Sequence, residues 1–271
     1  MFTQNYKNQD NQKTLNVYLV GFFLFILAVA SPWFNLSIAN HAFVKSYFAG
    51  IGSALLFLTS LYYNSFSESK PYKISHLKIA SLLLFIFGVL SFFWAVNIDF
   101  YITKLLLWLI VVFCFGVGLN LSSNKENLII ISWLLIFTGS VIASIGILQY
   151  LFDPFSLTEH VNPASTFGNK NMATQPLLLL FPFSCYLFLS KLNNTKSPWI
   201  IALLTSLILI YIFYSNTRAA WVSIFIELIL ITGFILLNIG KIFSLEIWNK
   251  NKRNACIFGL IFTLIMINMP A

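Results

Sequence analysis

Residues 128–152 read LIIISWLLIFTGSVIASIGILQYLF and contain no charged side chain. At the helical rise of 1.5 Å per residue this stretch is about 38 Å long, more than the roughly 30 Å of a bilayer's hydrocarbon core. Its apolar residues do not alternate with polar ones, as they do in the strands of a membrane barrel. The stretch therefore predicts a membrane-spanning helix.

The rest of the chain has the same character. Of its 271 residues, 59% are hydrophobic and only 9% are charged, whereas soluble domains have about 25% charged residues. This composition excludes a water-soluble globule and predicts an all-α fold, a polytopic transmembrane helical bundle. About nine segments are long and apolar enough to be spans, and they are Leu15–Ala39, Ala42–Tyr63, Leu77–Val96, Ile102–Leu121, Leu128–Phe152, Asn171–Ser190, Trp199–Ser215, Ala219–Ile239 and Ala255–Met269.

The predicted organisation is simple. A cytoplasmic tail, 1–14, precedes a single transmembrane domain, 15–271, whose longest outer loop is 153–170. The apolar run after Lys13, which ends in Ala28-Val29-Ala30, also imitates a cleavable signal peptide. Because the run continues through Trp33 and Phe34, we favour a retained first span.

The distribution of the cations sets the orientation. With the N-terminus in the cytoplasm, 12 of the 16 Lys and Arg residues lie in inner segments, as expected for a membrane protein. Nine spans then place the C-terminus on the outer, periplasmic side of a bacterial inner membrane. Because this bias accounts for the net charge of +8, we expect no nucleic-acid partner.

Four cations remain on the outer side, and three of them stand where spans begin. Lys104, Lys170 and Arg218 lie at the starts of the predicted fourth, sixth and eighth spans, whereas Lys45 is best explained as an ordinary interfacial lysine. The N-terminus of a helix has unpaired N–H groups and the positive end of the helix dipole, so it attracts anions. Three such ends on one face predict a phosphate or diphosphate site.

The capping residues agree with these helix starts. Asn97 or Asp99 can cap the fourth span, Asn169 or Asn171 the sixth, and Asn216 or Thr217 the eighth. Arg218 is the strongest anion ligand in the set because a guanidinium binds phosphate through two parallel hydrogen bonds.

Other polar residues carry weaker signals. Glu227 lies well inside the eighth span, where a carboxyl group is either a functional site facing the bundle interior or a protonated structural group. Asp153, Glu159 and His160 in the outer loop lack the spacing of metal ligands. We therefore predict no metal site, and the chain has no nucleotide-binding motif.

Two segments resemble the superfamily of O-antigen ligases, O-antigen polymerases and O-oligosaccharyltransferases. The stretch STFGNKNMA, 165–173, opens a span after an outer loop, and NTRAAW, 216–221, is similar to the superfamily's S/T-R-G/A-A-W signature. Their order and their separation by two spans also match. SFFWAV, 91–96, is a fainter similarity.

The resemblance implies a membrane glycosyltransferase of lipopolysaccharide or related glycan biosynthesis. Such an enzyme binds a polyprenyl-diphosphate-linked glycan at the periplasmic face, and an acceptor hydroxyl on a glycolipid or protein displaces the diphosphate. It uses no metal, nucleotide sugar or other cofactor. By this resemblance Arg218 binds the diphosphate, followed by Lys170, Asn169 and Asn171, and Lys104 is added by its charge and position.

The resemblance also implies a missing part. Members usually continue into a large periplasmic loop with a catalytic His, followed by about three further spans. His160 lies in an earlier loop and does not match that residue, so the catalytic residues stay unknown. We expect the isolated chain to bind donor lipid without turnover, with a separate C-terminal half as a partner.

Two other functions fit the same sequence. A transporter or flippase of an anionic lipid or glycan would line its pathway with the outer cations, although its helices are typically broken by Pro or Gly. A non-catalytic partner in glycan assembly would need no donor site at all.

Overall fold

The computed structural model describes residues 19–27, 41–65, 76–121, 125–152, 163–190, 196–238 and 248–269. Within these ranges the chain is helical and has no strand, which confirms the predicted all-α class. Two predicted segments lie outside the described residues. They are most of the predicted first span and residues 153–162 of the predicted outer loop, which include Asp153, Glu159 and His160.

Eight helices are complete within the described ranges, and a further helical segment covers residues 19–27. A turn of 3₁₀ helix, Ser91–Trp94, follows the second of them. The helices are α1 (His41–Ser65), α2 (His76–Leu90), α3 (Ile98–Leu121), α4 (Lys125–Phe152), α5 (Lys170–Leu189), α6 (Ser197–Tyr214), α7 (Arg218–Leu237) and α8 (Lys250–Ile267).

Five stretches of these helices are long and apolar enough to cross a membrane. They lie in α3 to α7 and cover Ile98–Gly118, Glu126–Phe152, Lys170–Leu189, Ser197–Tyr214 and Arg218–Leu237. The chain thus has the helices of a membrane-embedded protein, while the count of nine spans and the orientation stay predictions.

Local chemistry fixes several helix starts. Asn97 caps α3, because its Oδ1 accepts a hydrogen bond from the N–H of Phe100 at 2.9 Å. Asn249 caps α8 in the same way, accepting from the N–H of Lys252 at 3.0 Å. Pro198 stands in the first turn of α6, where its missing N–H costs nothing.

The chain divides into two compact units, and the first contains α2, α3 and α1 from Phe43 onward. Tyr101 near the start of α3 donates a hydrogen bond to the carbonyl of Val89 at the end of α2, 2.8 Å away. The rings of Phe57 in α1 and Phe113 in α3 stack with their centroids 4.7 Å apart. These contacts connect the three helices.

The second unit contains α5 to α8 and α4 from Ile129 onward, and its core is built around α6. Helix α6 buries residues on several sides, including Ile201, Ile208 and Tyr211, because α5 and α8 both pack against it. By contrast, Ala220 is the only buried residue of α7.

Small residues allow these helices to approach closely. A side-chain Cβ at Gly259 of α8 would lie 3.1 Å from the Ser206 hydroxyl oxygen of α6, and that hydroxyl donates to the Gly259 carbonyl at 3.0 Å. In a lipid environment helices associate by such close packing and interhelical hydrogen bonds rather than by the hydrophobic effect. Gly139 of α4 likewise packs against Leu180 of α5.

Candidate functional site

The segment before α5 folds into a tight turn. Ser165 and Gly168 both have positive φ, 52° and 67°, the left-handed backbone conformation that is common in tight turns. Asn169 then takes an extended conformation and caps α5, its Oδ1 accepting from the N–H of Asn171 at 2.8 Å. Of the two predicted caps, Asn169 is therefore the one used.

Buried side chains of α4 and α6 form hydrogen bonds with this turn. Gln149 of α4 accepts a hydrogen bond from the N–H of Ser165 at 2.7 Å and donates to its carbonyl at 3.1 Å. The Ser165 hydroxyl donates to the carbonyl of Ile142 at 2.6 Å. Tyr211 of α6, fully buried, donates to the carbonyl of Pro163 at 3.0 Å. Helices α4 and α6 thus hold Pro163 and Ser165 of this turn by hydrogen bonds.

The start of α7 is also a tight turn. Tyr214 ends α6, Asn216 has a φ of 50°, and Thr217 is the N-cap of α7. The Thr217 side chain does not bond to its own helix. Its hydroxyl instead donates to Oδ1 of Asn171 in the first turn of α5, over 3.3 Å.

This bond joins the two starts. It places the first turns of α5 and α7 side by side, so that the positive ends of two helix dipoles lie together. Lys170 and Arg218 are the first residues of these helices, and Arg218, Asn169 and Asn171 are exposed while Lys170 is half-buried. We refer to Asn169, Lys170, Asn171, Thr217 and Arg218 as the paired helix tips.

An aromatic surface follows Arg218 along α7. Trp221, one turn further on, stacks on Phe213 of α6 with the ring centroids 5.4 Å apart and the planes 11° apart. The indole of Trp221 remains 46% exposed. It is available for contact with an apolar or ring-shaped part of a ligand held at the tips.

The other two predicted site residues are Lys104 and Glu227. Lys104 belongs to α3 in the first unit, where its Nζ lies 4.9 Å from the centroid of the Phe100 ring, within the range of a cation–π contact. Glu227 lies at the middle of α7, and its Oε2 is buried without a hydrogen-bond partner among the described residues. Across the described ranges no three His, Cys, Asp or Glu side chains are grouped so that they could hold a metal ion.

Sequence reasoning did not identify Gln149 and Tyr211 as parts of this site. A signal for Gln149 was present, because it is a lone amide within the apolar run 128–152 and an amide in that setting needs hydrogen-bond partners. Tyr211 gave no such signal, since its run contains other aromatic residues and its hydroxyl partner is a backbone carbonyl.

Comparison with known proteins adds no relative. No protein-family model, no curated protein and no solved structure matches this chain.

Proposed function

We propose that the chain is a membrane glycosyltransferase of the O-antigen ligase type, resident in a bacterial inner membrane with nine spans and the paired helix tips on the periplasmic side. Its donor is a polyprenyl-diphosphate-linked glycan, and its acceptor is a hydroxyl on a glycolipid or protein. The single observation that carries this proposal is the bond between Asn171 and Thr217.

That bond supports the proposal because it connects the two segments on which the resemblance rests. Residues 165–173 and 216–221 are far apart in the sequence, and the fold brings their helix starts into direct contact. Packing between the two helices would not require exposed polar side chains there, whereas anion binding does. The exposed Arg218 and the half-buried Lys170 supply positive charge at the same place.

The chemistry of the proposed reaction fits these groups. The acceptor oxygen forms a bond to the anomeric carbon, and the bond from that carbon to the diphosphate oxygen breaks, so that the diphosphate leaves with the electron pair. Arg218, Lys170 and the positive ends of the two helix dipoles stabilise the charge that develops on the leaving group. The polyprenyl chain would extend into the bilayer.

The test is binding of polyprenyl diphosphate to the full chain in nanodiscs, with the polyprene hydrocarbon of equal length, which has neither diphosphate nor hydroxyl, as the control ligand. We expect the diphosphate to bind and the hydrocarbon to bind at least about tenfold more weakly, since charge-assisted hydrogen bonds contribute about 1.5–3 kcal/mol each. Arg218→Ala should weaken diphosphate binding by about tenfold or more.

The matched control is Arg253→Ala, which removes the other arginine of the chain, an exposed residue of α8. It should leave the affinity unchanged. Equal binding of both ligands, or equal losses in the two variants, would rule out a diphosphate site at the tips.

A further inference from the structure

A groove runs between α5 and α7, away from the paired helix tips. It has a volume of about 480 Å³ and is lined by the second halves of both helices, with Pro182, Tyr186 and Leu189 on one side and Glu227, Leu230 and Phe234 on the other. Pockets that bind small molecules have volumes of about 300–1,000 Å³ and are mostly apolar with a few polar groups. This groove, called the α5–α7 groove below, meets that description.

Glu227 is the polar centre of the groove. Its Oε2 is buried and has no hydrogen-bond partner among the described residues. The other titratable residues that line the groove are Cys185 and Tyr186 of α5, and no lining residue carries a positive charge. A carboxylate without a cation in an apolar site is strongly disfavoured, which favours the neutral acid at this position.

The groove is separate from the anion site. Glu227 lies nine residues beyond Arg218 on the same helix, which corresponds to about 14 Å along the axis. Nine residues also turn the helix by half a revolution, so the two side chains leave α7 on opposite faces. A ligand of the groove is therefore not the diphosphate group.

We propose that the α5–α7 groove binds one lipid-soluble molecule that has an apolar chain and a hydroxyl group, and that the hydroxyl hydrogen-bonds to the neutral carboxyl of Glu227. The chain occupies the apolar wall formed by Leu189, Leu230 and Phe234, and the hydroxyl hydrogen-bonds to the carboxyl group of Glu227, which lines the groove. This inference does not depend on the proposed glycan transfer.

The probe for the carboxyl is dicyclohexylcarbodiimide, a lipid-soluble reagent that attacks neutral carboxyl groups in apolar surroundings. The carboxyl oxygen bonds to the central carbodiimide carbon while the carboxyl proton moves to a nitrogen, and the adduct rearranges to a stable N-acylurea with no leaving group. With the full chain in nanodiscs, mass spectrometry of peptides should locate the adduct on Glu227. Glu227→Gln should remove it.

Two matched variants test access through the groove. Leu230→Trp fills the groove and should slow labelling by about tenfold, which corresponds to about 1.4 kcal/mol. Ile229→Trp makes the same change at a neighbouring residue of α7 that does not line the groove and is 55% exposed. It should label at the wild-type rate.

The ligand class is tested by protection. Dodecanol should slow the labelling of Glu227, and dodecane at the same membrane concentration should not, because only the alcohol can hydrogen-bond to the carboxyl. Absent labelling, equal rates in the two Trp variants, or equal effects of alcohol and alkane would each overturn the proposal. The experiment contains no glycan lipid, so its result is independent of donor binding at the helix tips.

Discussion

Gln149 binds Ser165 with both ends of its amide. Its Oε1 accepts from the Ser165 N–H at 2.7 Å, and its Nε2 donates to the Ser165 carbonyl at 3.1 Å. Both bonds are buried in the second unit. The amide thus replaces the backbone partners that Ser165 lacks because its φ of 52° takes it out of any helix. In an apolar environment these two bonds decide the shape of the turn before α5.

Replacing Gln149 by Leu should destabilise the protein. The change leaves a buried N–H and a buried carbonyl of Ser165 without partners, which costs about 1–3 kcal/mol for each group. We expect a loss of about 2 kcal/mol or more in the free energy of unfolding, measured by titrating the folded protein in mixed micelles with dodecyl sulfate.

The same substitution at Gln175 is the matched control. Gln175 is an exposed residue of α5, so Gln175→Leu should change the free energy of unfolding by less than about 0.5 kcal/mol. A Gln149→Leu variant as stable as wild type would mean that Ser165 finds other partners and that the turn does not depend on α4.

Gly146→Ala should also be destabilising. A Cβ at this position of α4 would overlap with the ring of Tyr211, which is fully buried and whose hydroxyl donates to the carbonyl of Pro163. The ring must therefore shift and weaken its bond to the turn, at a cost of about 1–3 kcal/mol. Gly233→Ala in α7, where nothing lies within 4 Å of the new Cβ, is the control.

Because Ala is a better helix former than Gly, the control variant should be neutral or slightly stabilised. Both variants are compared with wild type by thermal unfolding in the same detergent. Equal melting temperatures for Gly146→Ala and Gly233→Ala would show that Tyr211 is free to move, and the proposed support of the turn by α6 would be wrong.

The sequence predicts the helices of this protein better than their contacts. Apolar runs and polar breaks place the starts of α5, α6 and α7 within about two residues of the starts in the structure. Which faces meet depends on details such as Gly259 beside Ser206, and nearly uniform apolar helices give no periodic signal for them. Five helices long enough to span a membrane are seen in α3 to α7, whereas the predicted nine include segments outside the described residues.

The candidate site shows the same limit. The charge pattern predicts that helix starts with Lys170 and Arg218 share a function, and the fold brings these starts together through Asn171 and Thr217. The charge pattern does not predict that Gln149 shapes the turn, because that prediction requires knowing which residue of α4 contacts Ser165.

Thr217→Val should weaken donor binding without unfolding the protein. Valine keeps the branched shape but removes the hydroxyl that donates to Asn171, so the two helix starts lose a bond that contributes about 0.5–1.5 kcal/mol. We expect the affinity for polyprenyl diphosphate to fall by roughly threefold to tenfold. Binding is measured in nanodiscs by competition with a fluorescent analogue.

Thr263→Val is the matched control for this change. The Thr263 hydroxyl donates to the Gly259 carbonyl within α8 at 2.8 Å, so its removal does not touch the paired helix tips. If Thr263→Val lowers the affinity as much as Thr217→Val, the effect comes from general loosening of the bundle and not from the contact between α5 and α7.

Lys252 should make the stability of the second unit depend on pH. It lies in the first turn of α8, before the apolar run that starts at Ala255, and its side chain is only 2% exposed. Its Nζ donates to the carbonyl of Ser190 at the end of α5, 2.7 Å away. Burial lowers the pKa of the Lys252 amine below its ordinary value.

The sign of the effect follows from proton linkage. The unfolded chain, with a Lys pKa of about 10.4, holds the proton more tightly than the folded chain does, so unfolding takes up protons between the two pKa values. The contribution of Lys252 to the free energy of unfolding therefore rises with pH through that window, since the neutral amine still donates to Ser190 without the cost of a buried charge.

Lys252→Met removes this titration, and the stability difference between wild type and variant should grow in favour of wild type up to about pH 10.4. Lys250→Met, at an exposed residue of the same turn, is the matched control for loss of a lysine charge and is measured in the same nonionic detergent. Parallel curves for wild type and Lys252→Met would mean that this amine is hydrated in the folded protein and does not connect α8 to the end of α5.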